Sequence, residues 1–137
     1  MTDVFVDTSA IYALLVEDDE CHQPARVAAS SFRELGTNLV TSSFVVLETV
    51  SLLQARIGVE AVRVFYADML PLLHVLYMDE GLLHRAMEAL LAASERRVSL
   101  TDWTSITLMQ DRGIALTFAF DEDLARHGVV LLPSGTR

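Results

Sequence analysis

Two aspartates stand where a short apolar run gives way to helix-starting residues. They are Asp7 in VFVDTS and Asp121 in FAFDEDL, the second followed closely by Asp123. A third, Asp102, lies in SLTDWTS, and Glu48 lies in SSFVVLETV. On a helical projection Glu48 neighbours Phe44, Val45, Ser51, Leu52 and Ala55, a mostly apolar face. A carboxylate in such a place is costly unless it is paired, protonated or bound to a cation. Hard oxygen donors without an accompanying Cys/His set favour Mg2+ or Mn2+ over zinc. Gathered at one point, Asp7, Glu48, Asp102 and Asp121 would hold one or two such ions and support hydrolysis of a phosphodiester by an activated water.

Each acid also has a plainer role. Asp7 and Asp121 suit helix N-caps, accepting from free backbone N–H groups. Ser99 and Asp102 have capping-box spacing, and a carboxylate in a first helical turn is favoured by the helix dipole. Asp123 sits in an acidic run of the kind that faces solvent, and Glu48 could lie at the surface. Asp79 is a control: it too follows an apolar run, so ending a strand is not enough to mark a site. Thr8, Ser9 and Ser105 could orient a carboxylate or a water, or could be ordinary helix hydroxyls. Arg96 and Arg97 suit either phosphate contact or a solvated loop, and Arg56 is a weaker candidate for the same contact. His22, His74, His84 and His127 have no metal-ligand spacing. Cys21 sits in a polar stretch with no sign of thiolate activation, and Trp103 could stack on a base but reads better as a core or dimer contact.

The whole chain bounds these options. Its 137 residues suit one domain, 1–137. A hydrophobic fraction of 52% is more than one small core needs, so a self-association or partner surface is expected. The net charge of −9 excludes a broadly basic nucleic-acid footprint. One cysteine forbids an internal disulfide and points to a reducing cytoplasm. Neither a signal peptide nor a membrane span is expected.

The elements that must position the acids alternate. Strands are predicted at Val4–Val6, Leu39–Thr41, Leu72–Tyr77, Ala115–Phe120 and Val129–Leu132. Helices are predicted over Ser9–Val16, Ala25–Leu35, from Ser42 or Ser43 to Ile57, Val59–Met69, Asp79–Ala93, Ser99 to Gly113, and a short one over Asp121–His127. In the long central helix Val46, Val50, Leu53 and Ile57 are expected to face the core. Short apolar strands between helices imply right-handed crossovers and an α/β fold. The expected form is a three-layer α/β/α with a central, mostly parallel sheet of four to five strands. Ligands of such sheets bind at the carboxyl ends of strands where strand order reverses.

At these residues the chain resembles the PIN-domain nucleases, particularly the VapC toxin ribonucleases of VapBC toxin–antitoxin pairs. The segments VFVDTSAIYALL, LVTSSFVVLETVSLLQARIG, SLTDWTSITLMQDRGI and ALTFAFDEDLARHGVVLLP follow the family's order across nearly the whole chain. The resemblance implies that Asp7, Glu48, Asp102 and Asp121 are the catalytic, metal-binding acids, with Asp123 auxiliary. It also implies that strands one and four are neighbours, which would leave Asp79 at an edge. Leu124 stands where the family usually has an aromatic. The implied activity is Mg2+- or Mn2+-dependent cleavage of RNA to 5′-phosphate and 3′-hydroxyl ends. The implied partners are a cognate antitoxin with a basic tail and a second copy of the chain, through helices around Val45–Met69. Two rivals are a catalytically silent PIN-like scaffold and an Asp-based phosphoryl-transfer or receiver domain. The second would need a DxD motif at the first strand, which VFVDTS lacks, or paired first-strand acids with a strand-end lysine, and the chain has no lysine in that role.

Overall fold

The computed structural model describes residues 2–134. Val4, Phe5 and Val6 are consecutive and all buried, which a strand achieves only when both faces of its sheet are covered. They belong to β1 (Asp3–Val6), and the other strands are β2 (Asn38–Ser42), β3 (His74–Leu76), β4 (Leu116–Phe118) and β5 (Val130–Leu132). The sheet order is β3-β2-β1-β4-β5, and every neighbouring pair is parallel. The helices are α1 (Thr8–Leu15), α2 (His22–Leu35), α3 (Ser43–Arg56), α4 (Val59–Val64), α5 (Glu80–Ala93) and α6 (Leu100–Arg112). Helices flank the single sheet, as expected, and strand order reverses between β1 and β4. No described helix is long and apolar enough to cross a membrane.

Local chemistry explains the helix limits. Ser42 caps α3 by accepting from Val45 N at 3.1 Å. Asp79 caps α5 by accepting from Leu82 N at 2.9 Å. Gly113 ends α6 at φ 66°, a left-handed conformation that side chains with a Cβ adopt reluctantly.

Three expectations need correction. The third strand is only His74–Leu76, because Pro71 lies within a 3-10 turn over Leu70–Leu72. The stretch expected as one helix over Val59–Met69 is α4 followed by a wider π turn, Phe65–Met69; an apolar periodicity does not separate these two windings. In α3 the fully buried row is Val45, Thr49 and Leu53, while Val46 and Val50 are half-buried and Ile57 is 52% exposed. Thr49 donates to Thr8 Oγ1 at 3.2 Å, and Thr8 donates to the Val45 carbonyl at 3.5 Å. A buried threonine satisfied in this way breaks the purely apolar stripe that the sequence pattern seeks. The apolar excess appears instead at the surface, where Leu47, Ile57, Val59, Val64 and Tyr66 are exposed.

Candidate active site

Adjacency of β1 and β4 brings the strand-end acids together. Val6 is in register with Phe118, and one residue further Asp7 N donates to the Phe118 carbonyl at 3.0 Å. Ser9 then ties the two chain segments to each other. Its Oγ donates to Asp7 Oδ2 at 2.6 Å and accepts from Phe120 N at 2.9 Å, while Ser9 N also donates to Asp7 Oδ2 at 3.1 Å. Asp121 caps a 3-10 turn (Glu122–His127), accepting from Asp123 N at 3.0 Å.

A cavity of about 590 Å3 opens at this crevice, lined by Asp7, Glu48, Asp102, Asp121 and Asp123 together with Thr8, Ser9 and Ser99. Asp102 enters it from the first turn of α6. Its Oδ2 accepts from Ser99 N at 3.1 Å, and Ser99 Oγ accepts from Asp102 N at 3.1 Å, which completes the capping box. Glu48, Leu52 and Arg56 form one wall, at the i, i+4, i+8 spacing that keeps residues on one helix face. Capping and membership of the site are therefore compatible for Asp7, Asp102 and Asp121. One carboxylate oxygen can serve the backbone while the group still borders the cavity.

Electrostatics set these acids apart from ordinary caps. Asp7 is 4% exposed and Asp102 7%. Burial pushes the Asp7 pKa up to about 6, against the Ser9 hydrogen bonds that favour its charged form, with Glu48 and Asp121 adding repulsion. Asp102 is pushed up to about 7, chiefly by burial and then by repulsion from Asp7, with Asp121 contributing and the Ser99 bonds opposing. The acids reach each other electrostatically, but among the described residues no three His, Cys, Asp or Glu side chains form a preassembled metal cage.

The remaining sequence-derived residues fall in several places. Thr8 lines the cavity, yet its hydroxyl is engaged with Val45 and Thr49. Ser105 is buried outside the cavity lining and donates to the Thr101 carbonyl at 3.2 Å. Arg96 and Arg97 are exposed in the loop before α6 and do not line the cavity. Asp123 lies 3.8 Å from Arg126, whose other nitrogen bonds Glu95 at 2.7 Å. Asp79, behind edge strand β3, is outside the cavity lining. Tyr12, Asp19 and Cys21 line the cavity, although nothing in their sequence context marks them as site residues. Cys21, expected in a polar loop, is buried at 6% exposure as the N-cap residue of α2. For Tyr12 the one sequence signal is its place on α1, the helix that Asp7 caps.

Comparison with known proteins decides the family. The PIN domain model matches residues 4–130. The chain belongs to the PIN domain family. Among curated relatives of this PIN chain is the 23S rRNA-specific endonuclease VapC20 of Mycobacterium tuberculosis, represented by two strains. The identity is 34% over 128 residues, spanning 93% of this chain and 95% of VapC20. The crystal structure of M. tuberculosis VapC20, a sarcin-ricin loop cleaving toxin, superposes with a TM-score of 0.83 at 32% identity, covering 93% and 96% of the two chains. FitAcB from Neisseria gonorrhoeae matches with a TM-score of 0.68 at 13% identity, covering 93% and 95%, a likeness of fold alone.

The donor chemistry of this PIN site fits a hard divalent cation. The carboxylates repel one another, and Asp7 and Asp102 are nearly buried. Among the described residues, neither of those two forms a salt bridge. An ion that keeps several of its own waters, as Mg2+ does, does not require a closed protein cage. Ser9→Ala tests how the site is held. It should cost about 1–3 kcal/mol, because Phe120 N loses its acceptor and Asp7 loses a donor. Urea denaturation measures the loss, and an unchanged midpoint would show that the Ser9 hydroxyl does not hold β1 and β4 together.

Proposed function

We propose that this chain is a divalent-metal-dependent endoribonuclease and the toxin component of a type II toxin–antitoxin pair. The observation that carries the reading is the convergence of Asp7, Glu48, Asp102 and Asp121 on one cavity at the strand-order reversal. In this reading Asp7 and Asp102 are the main metal ligands. Glu48 and Asp121 complete the set directly or through water, and Asp123, held toward Arg126, is auxiliary. The metal, Mg2+ or Mn2+ as one or two ions, supplies a lowered pKa for water and neutralises phosphate charge. Ser9 and Ser99 fix the orientation of Asp7 and Asp102, so the carboxylates need little rearrangement when a cation and RNA enter.

VapC20 acts on 23S rRNA, which makes structured ribosomal RNA the first substrate class to test. Partners follow the same logic. The acidic cavity complements a basic antitoxin segment, and the apolar residues exposed on α3 and α4 suit a homodimer interface. A lone free cysteine suits a cytoplasmic setting. The deciding experiment incubates a mixed RNA pool and 23S rRNA with the protein, with and without Mg2+ or Mn2+, and maps the ends. Metal-dependent fragments with 5′-phosphate and 3′-hydroxyl ends are expected. No cleavage under any of these conditions, by folded protein freed of antitoxin, would sink the nuclease reading.

A further inference from the structure

An acidic cavity that must admit a polyanion poses an electrostatic problem that the metal-binding acids do not solve. Seven of the residues lining the cavity are Asp or Glu, and Arg56 is the one Arg or Lys among them. Among the described residues, Arg56 forms no salt bridge with any of those acids. Its guanidinium carbon lies instead 5.6 Å from the centroid of the Tyr12 ring, within cation–π range, and Tyr12 itself lines the cavity. The cation is thus present in the site, lying over an aromatic ring, with its hydrogen-bonding edge not consumed by a carboxylate. A guanidinium not paired with a carboxylate is suited to a phosphate, which accepts two parallel N–H bonds.

Position along α3 says which phosphate. Arg56 is two turns beyond Glu48 on the same face, about 12 Å along the helix axis. A strand whose scissile phosphate lies at the acids therefore presents a flanking phosphate to Arg56. Single-stranded RNA is commonly held by basic groups on its backbone and by aromatic or arginine planes against its bases, and Tyr12 with Arg56 offers both. We propose that Arg56, laid over Tyr12, is a substrate-positioning residue that grips an RNA phosphate flanking the one cleaved. This rests on the nuclease reading above.

The experiment uses the full chain and a labelled RNA containing a site cut in the mixed pool, comparing Arg56→Gln, Arg56→Lys and Tyr12→Leu with the unaltered protein. Arg56→Gln should raise KM roughly tenfold with kcat within about twofold, the signature of lost uniform binding. The slope of log kcat/KM against log salt should shrink by about 0.7, the contribution of one phosphate contact to a single strand. Arg56→Lys should keep the salt slope while recovering only part of the affinity, since it lacks the fork. Tyr12→Leu should raise KM less than Arg56→Gln. An Arg56→Gln protein with unchanged KM and unchanged salt slope overturns the proposal, and so does a loss confined to kcat. If the unaltered protein cuts no RNA, the nuclease reading falls, and the same salt series is read as binding by fluorescence anisotropy. A binding slope that Arg56→Gln leaves unchanged, or no RNA binding by the unaltered protein, then overturns the proposal as well.

Discussion

Asp102→Asn should make the metal-free protein more stable at pH 8 while removing at least about 99% of its metal-dependent RNA cleavage. Even the outer partners of metal ligands commonly cost roughly 10–100-fold, and the proposed function makes Asp102 a direct ligand. The stability half follows from the Asp102 pKa of about 7, well above the ordinary 3.8. A carboxyl group whose folded pKa is raised binds its proton more tightly in the native state. Its burden on folding is absent below pH 3.8, develops as pH rises, and is complete once pH has passed the folded value near 7. Asparagine has no charge to desolvate and retains an oxygen for Ser99 N, so the capping box survives. A gain of about 2–4 kcal/mol at pH 8 is expected, because each tenfold difference in proton affinity is worth about 1.4 kcal/mol. Little change is expected at pH 4. Asp7→Asn should have the same sign and a smaller gain, since two bonds from Ser9 already favour the Asp7 charge. Urea midpoints at the two pH values, beside cleavage of the RNA pool, make the check. An Asp102→Asn protein destabilised at pH 8 would show that the carboxylate is a structural cap, and its lost activity would then say nothing about metal.

That opposition between stability and activity clarifies what the sequence could reveal. Periodicity was enough for the parallel sheet, since three consecutive apolar residues in β1 demand covered faces, and Pro71 and Gly113 punctuate the chain where elements end. Strand order is a long-range property, so the separation of Asp7 and Asp121 from Asp79 came only with the family resemblance. Composition also could not place Thr49. Its hydroxyl is satisfied by a partner 41 positions away, and no local pattern announces such a bond. For the site, residue types were informative at the four acids because charge on an apolar background is conspicuous. Arg56 and Tyr12 were harder to see, because an exposed arginine and a half-buried tyrosine are common on any helix. Arg56 was legible only as a weaker phosphate contact and Tyr12 only as a residue of the helix that Asp7 caps; their significance lies in meeting across α1 and α3. Arg96 and Arg97 drew attention because they precede the Asp102 helix, and they are exposed there outside the cavity lining.

Divalent metal should offset much of the loss of stability at high pH that the buried acids impose. Without metal, Asp7 and Asp102 bind more protons in the folded than in the unfolded chain between their ordinary value of 3.8 and their folded values of about 6 and 7. Their joint contribution therefore falls as pH rises from about 5 to 8, and because they repel one another they titrate as a pair. A bound cation needs both groups ionised, so protons compete with it at pH 5.5 and no longer do so at pH 8. At a free Mn2+ concentration of roughly 100 times Kd, linkage adds about 2.7 kcal/mol. For a domain of this size that is a rise in Tm on the order of 10 °C. The rise at pH 8 should exceed that at pH 5.5 severalfold and should vanish in a protein carrying both Asp7→Asn and Asp102→Asn. Comparing that double variant with the unaltered chain at each pH subtracts the contributions of the other acids. An equal rise at both pH values would place the ion on groups with ordinary pKa values. A rise retained by the double variant would place it away from the β1–β4 crevice altogether. Loss of the increment in the double variant, with its apo stability raised at pH 8, would tie the energetic burden of the buried acids to cation binding at the β1–β4 crevice.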